Sequence, residues 1–188
     1  MNSLLKVAGV IDWLTQQVGR IMYWLGLVMI LFGVYNAAVR YIGSYLGRNL
    51  SSNAYLDIQW YLFGAMFLLG AAYGLRHNAH VRVDIIAGRL SVRAQTWIEL
   101  LGTVLFLLPF CAIVLWFSLD WVSISWQVKE ASPNPGGLAR YPIKLVVPAA
   151  FALLLLQGLS QLIKCVAVLT GHRQQVHEVT EGQGEGAL

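Results

Sequence analysis

The chain has 188 residues, of which 57% are hydrophobic and only 12% charged, and its mean hydropathy is +0.62. A soluble chain of this size and composition would aggregate instead of folding, which excludes a water-soluble domain. The net charge of +4 comes without a basic cluster interleaved with base-stacking aromatics, so it reads as attraction to a cytoplasmic leaflet and excludes nucleic acid as a partner.

In chain order, Leu4, Val7, Ala8, Ile11, Leu14 and Val18 recur at helical i, i+3, i+4 spacing, with Lys6, Asp12, Gln16 and Gln17 elsewhere on the wheel. This pattern predicts an N-terminal amphipathic helix over residues 4–18, lying in the membrane interface or packed on a partner. Four charge-free apolar runs follow, at residues 21–39, 58–75, 100–119 and 145–163. At about 1.5 Å per residue each run makes a helix of roughly 27 to 30 Å, the thickness of a bilayer's hydrocarbon core. Unsatisfied backbone groups are not tolerated in lipid and the runs lack the alternation of barrel strands, so all four are predicted α-helices. The first run is too long for a secretory signal and has no small-residue cleavage pattern, so it is expected to stay in the mature protein.

Between the second and third runs, Val83, Ile86, Ala87, Leu90, Ala94 and Trp97 share one helical face and Arg82, Arg89 and Arg93 lie beside it. That predicts an interfacial helix over residues 82–97, half-sunk in the headgroup layer, with the three arginines as lipid anchors on phosphate. After the third run, Trp121 and Trp126 fall at the interfacial level, and Ser132-Pro133-Asn134-Pro135-Gly136-Gly137 is a turn cluster that cannot be helix. Pro142 and Pro148 bracket the start of the fourth span, the first tolerated at a helix N-terminus and the second placed to kink it. From Gly171 the chain is polar and is expected to be a disordered tail, residues 171–188.

The predicted architecture is therefore an all-α membrane protein with one domain over residues 1–170. Its four transmembrane helices run at about 21–42, 57–76, 98–120 and 143–168, with the two amphipathic helices as additions. With both termini cytoplasmic, eight of the 13 Lys and Arg fall inside and five outside; the four arginines of the short loop after the second span give most of that bias.

No convergent set of ionisable groups lies within the spans. Asn36, Gln157, Ser160 and Gln161 are their notable polar residues and read as hydrogen-bonding between helices or to a partner subunit. His77 and His80, with Asp84 four residues on, have a spacing open to a weak metal site, but read as solvated interfacial histidines. All four histidines fall outside the spans, which removes axial ligands for haem. Cys111 near mid-span and Cys165 past the fourth run are too far apart for a disulfide and read as free thiols. Phosphate-binding glycine loops, a nucleophile elbow and Cys-x-x-Cys are absent. The expectation is a subunit that is not an enzyme and holds no cofactor.

The run Gln59-Trp60-Tyr61-Leu62-Phe63-Gly64-Ala65-Met66-Phe67-Leu68-Leu69-Gly70-Ala71-Ala72-Tyr73, followed by Arg76 and His80-Val81-Arg82-Val83-Asp84-Ile85, resembles the central signature of the small permease subunit of tripartite ATP-independent periplasmic (TRAP) transporters. Trp126, Glu130, Ser132, Gly136-Gly137-Leu138, Lys144, Pro148 and Leu156-Gln157-Gly158 are similar to the second half of the same family. The resemblance implies a multi-pass protein of a bacterial inner membrane. It also implies two partners beside lipid, a large permease subunit that carries an organic acid with sodium and an extracytoplasmic substrate-binding protein. The small subunit would extend the static scaffold, with Asp84, Glu130, Ser132 and Gln157 as candidates for contact with the permease or the binding protein. A membrane anchor of a redox complex and a stand-alone channel are the alternatives, and the spans lack a polar stripe long enough to line a pore.

Overall fold

The computed structural model describes residues 1–48, 51–79, 90–172 and 176. Helix α1 (Asn2–Tyr45) contains no proline and runs unbroken for 44 residues. It ends where the Leu46 and Arg48 amides bond back to the carbonyls of Ile42 and Gly43, each at 3.0 Å, and Gly47 takes the left-handed φ of 63° that such a closure requires. Helix α2 (Asn53–Arg76) starts at Ser52, whose Oγ accepts the Ala54 amide at 3.2 Å. Helix α3 (Val92–Gly102) starts likewise at Ser91 and passes into a π turn (Thr103–Leu107) and then α4 (Leu108–Gln127) without leaving the helical path. The wide turn has a local cause. Pro109 offers no amide to the Leu105 carbonyl, and the Leu108 amide reaches back five residues to Thr103. The chain then makes the short α5 (Tyr141–Lys144) and α6 (Val146–Leu169). The break at Leu145 falls where Pro148 has no amide for the Lys144 carbonyl.

Four helical stretches are long and apolar enough to cross a membrane: Asn2–Tyr45, Asn53–Arg76, Val92–Gln127 and Tyr141–Leu169. Among the described residues the only β pairing is an isolated Ala131–Ala139 bridge. The expected all-α, four-span architecture holds at that level.

Helix α6 is the centre of the molecule. It packs against α1, α2, α3 and α4 and is the most buried of the spans. The other large interface joins α1 to α2, and its basis is a row of glycines. Gly19, Gly26 and Gly33, seven residues apart, face Tyr73, Met66 and Gln59, also seven apart. A Cβ on Gly19 would sit within the Tyr73 ring, and one on Gly33 would lie 2.5 Å from Gln59 Nε2. A seven-residue repeat on both partners keeps one seam in register along an antiparallel crossing, and the missing side chains let the backbones close up.

These facing pairs also fix relative heights. Thr15 meets Gln157, whereas the first apolar run starts only at Ile21; Phe110 meets Phe151. The apolar runs of α4 and α6 are level with each other but offset from those of α1 and α2 by roughly ten residues, on the order of 15 Å.

Two expected elements differ. Residues 4–18 are not a separate amphipathic helix but the first third of α1, and their buried residues are Ala8 and Thr15, while Leu4, Val7 and Leu14 are exposed. The face turned inward is the one whose polar groups find partners on α6, and that pairing outweighs burial of a few aliphatic side chains. The single helix expected over residues 82–97 is interrupted, because Leu90 is a bend and Ser91 is extended, with φ −62° and ψ 152°. Trp97 therefore belongs to the rod that includes the third span; residues 80–89 lie outside the described residues. Of the expected tail, Gly171 and His172 close α6 and Val176 is buried against Cys165 and Val168, with Leu100 alongside.

Candidate functional site

Two polar clusters organise the bundle. The first joins α1, α2 and α6 toward the end that carries Met1. Gln157 is 1% exposed; its Oε1 accepts from Thr15 Oγ1 at 2.7 Å, and its Nε2 donates to Asp12 Oδ1 at 3.0 Å. Ser160 Oγ lies within reach of Asp12 Oδ1 (2.9 Å) and the Ala8 carbonyl (3.3 Å), and Lys164 Nζ is 2.5 Å from Asp12 Oδ2. From α2, Arg76 donates to the Asp12 carbonyl at 2.7 Å and to Gln16 Oε1 at 2.6 Å. Gln16 Oε1 is an acceptor, so His77 Nε2, 3.0 Å away, is the protonated ring nitrogen. Burial and the Arg76 guanidinium hold His77 below the ordinary histidine pKa. Carboxylate, ammonium, amide and hydroxyl groups here satisfy one another. The cluster works as a lock between helices, not as an open valence for a ligand. Cys111 and Cys165 are buried and form no disulfide.

The second cluster lies at the opposite end, in the hairpin of residues 130–140. The Glu130 carbonyl accepts the Arg140 amide at 2.8 Å, Ser132 N–H donates to the Leu138 carbonyl at 2.9 Å, and Gly137 N–H closes a turn on the Asn134 carbonyl at 2.9 Å. Gly136, at φ 72°, takes the position of that turn which needs a left-handed residue. Asp57 of α2, only 4% exposed, accepts the Leu138 amide at 2.9 Å and Asn134 Nδ2 at 3.2 Å. A Cβ on Gly137 would strike the Asp57 carboxylate and Ser132, so the hairpin seats on α2 only because residue 137 is glycine. Tyr61 and Asn53 add bonds to the carbonyls of Leu138 (3.3 Å) and Pro135 (2.9 Å). At the hairpin's root Glu130 pairs with Lys144 and accepts Ser125 Oγ at 2.8 Å, while Lys144 sits 4.0 Å over the Trp121 ring. Lys144 and then Ser125 hold the Glu130 carboxyl below the ordinary glutamate range.

Of the residues singled out from sequence, Glu130 and Ser132 thus share one hairpin. Gln157 lies at the other cluster, inside the bundle. Arg93 is exposed in the first turn of α3, and Arg82, Asp84 and Arg89 lie outside the described residues. Sequence reasoning passed over Asp12, Thr15, Lys164 and Asp57, taking the acids for solvent-facing or span-end groups. The available signals were Gln157 and Ser160 one turn apart on α6, with Lys164 a turn further.

Four helices long and apolar enough to cross a membrane, joined by internal polar pairs, define an integral membrane protein. The family model for tripartite ATP-independent periplasmic transporters, DctQ component, matches residues 29–168, and the chain belongs to that family. It is also similar to the isethionate TRAP transporter permease protein DctMQ of Oleidesulfovibrio alaskensis, 29% identical over 163 residues and 86% of this chain. The chain spans 25% of that relative's length. No solved structure matches the chain. The resemblance read from the second span and the hairpin is thereby established, and the family is one of transporter components.

Proposed function

We propose that the chain is the small subunit of a TRAP system that takes up an organic acid with sodium, bracing the large permease subunit as part of its static scaffold in a bacterial inner membrane, both termini cytoplasmic. The observation that carries this reading is the inward pairing around Asp12 and Gln157, set against spans whose outer surfaces, at Trp24, Leu31, Phe67, Phe106 and Phe117, are apolar and exposed. Such a surface suits lipid and a larger neighbour and offers no path to a solute. Family membership supports the large permease subunit as that neighbour. The relative named for isethionate, a small organic sulfonate, supports an organic anion as the cargo.

In proteoliposomes the chain alone should give no organic-anion flux, and its permease partner with the binding protein should restore sodium-dependent uptake. Flux through the chain alone overturns the reading. A redox-complex anchor gains no support from a family of transporter components.

We assign the hairpin of residues 130–140 to docking of the substrate-binding protein, with Glu130 and Ser132 at its root and Asp84 supporting contact with the permease; Gln157, expected at such a contact, is instead buried between Thr15 and Asp12 and serves the bundle's own packing. Glu130→Ala should lose uptake while leaving the two-subunit complex intact; unchanged uptake counts against the assignment. Arg82, Arg89 and Arg93 are assigned as lipid anchors. Replacing all three with Gln should weaken assembly and uptake together, and normal values of both eliminate that role.

A further inference from the structure

At the same end of the bundle as the hairpin, a polar furrow of about 480 Å³ opens between the last turns of α1 and the start of α2, lined by Arg40, Ser44, Arg48, Ser51 and Asn53. Gly43 and Gly47 contribute backbone only, and the left-handed turn at Gly47 brings Arg48 into the same furrow as Arg40. Among the described residues neither arginine has a carboxylate within ion-pair distance. Two uncompensated guanidinium groups give the furrow a positive potential, and their planar forks match the oxygens of a phosphate.

The furrow does not stop at the charged level. A second hollow of about 440 Å³, lined by Gly33, Asn36, Ala37 and Tyr41, shares Arg40 and Ser44 with the first, so the two are continuous. Charge lies at the top, and the small residues Ala37 and Gly33 lie one and two turns down inside the apolar run of α1. A free phosphate would use only the upper part. A phospholipid fits both, its phosphate on the arginines and its glycerol and acyl chain along the Ala37 and Gly33 furrow.

We propose that this furrow is a binding site for one anionic phospholipid, held through its phosphate by Arg40 and Arg48. Asn53 also donates to the Pro135 carbonyl, so the bound lipid would sit beside the tip of the hairpin. The test is native mass spectrometry of the full-length chain, purified with its permease partner, titrated with phosphatidylglycerol and separately with inorganic phosphate. Wild type should retain one phosphatidylglycerol that inorganic phosphate does not displace. R40Q/R48Q should bind it about tenfold more weakly or worse, R40K/R48K should recover part of the binding, and Ala37→Trp should weaken it with both arginines in place. Wild-type retention in R40Q/R48Q overturns the site. Equal competition by inorganic phosphate, or no effect of Ala37→Trp, overturns the lipid as its ligand. Helix content by circular dichroism separates lost binding from lost folding, and R40K/R48K carries the test if R40Q/R48Q does not fold.

Discussion

Asp12 shows how a single side chain sets the position of a long helix. It touches Gln157, Ser160 and Lys164 on α6, so removing it strands an ammonium and an amide in a closed site. Asp12→Ala should cost about 2 kcal/mol or more in thermal unfolding in detergent. The D12A/K164A double variant should cost less than the sum of the two singles by about 1 kcal/mol, since the second change removes the stranded charge. Glu130 is the counterpart at the other end, and its lowered pKa has a definite sign. The folded state holds the proton less tightly than the unfolded chain, so the Glu130–Lys144 pair stabilises fully above the ordinary glutamate range. That contribution is lost as pH falls from about 4 toward the lowered value. Protection of the Arg140 amide, taken relative to its intrinsic exchange rate at each pH, should therefore fall on acidification in wild type, and Glu130→Gln should reduce that dependence.

At the level of helices, the spans were legible in the sequence because charge-free runs of bilayer length admit one reading. Their extents were less so. The helix expected over residues 4–18 was placed by its aliphatic stripe, but α1 turns Asp12 and Thr15 toward α6, where their partners lie some 145 residues away in sequence. No local period reports a partner at that distance. The same blindness applied to Asp57, which looks like a span-end anchor until the hairpin folds over it. The turn cluster itself was legible from its Pro and Gly residues, whereas its attachment to α2 was not. The unbroken α1 is open to a direct check. Arg20→Pro, at the expected joint, should cost about 3 kcal/mol in a continuous helix and little in two helices meeting there. The glycine seam gives a paired expectation: Gly19→Ala drives into Tyr73 and should destabilise by about 1–3 kcal/mol. Gly9→Ala, with nothing within 4 Å, should stabilise by about 0.5–1 kcal/mol through helix entropy.

Across the whole molecule, α6 joins an α1/α2 pair to an α3/α4 rod; the first cluster ties α1 and α2 to α6, and at the opposite end the second seats the hairpin that follows the rod on α2. Freeing the hairpin should leave the bundle standing. Asp57→Ala is expected to raise exchange at the Leu138 amide by about tenfold or more while helix content stays constant. The offset between the apolar runs of the two halves has a further outcome for the surrounding lipid. Neighbouring helix axes lie about 8–10 Å apart, so a step on the order of 15 Å across two or three helices cannot be matched by a flat hydrocarbon slab around an upright bundle. Either the protein leans by tens of degrees or the leaflets pinch on one flank and swell on the other, so the subunit would impose a slope on the lipid bordering it.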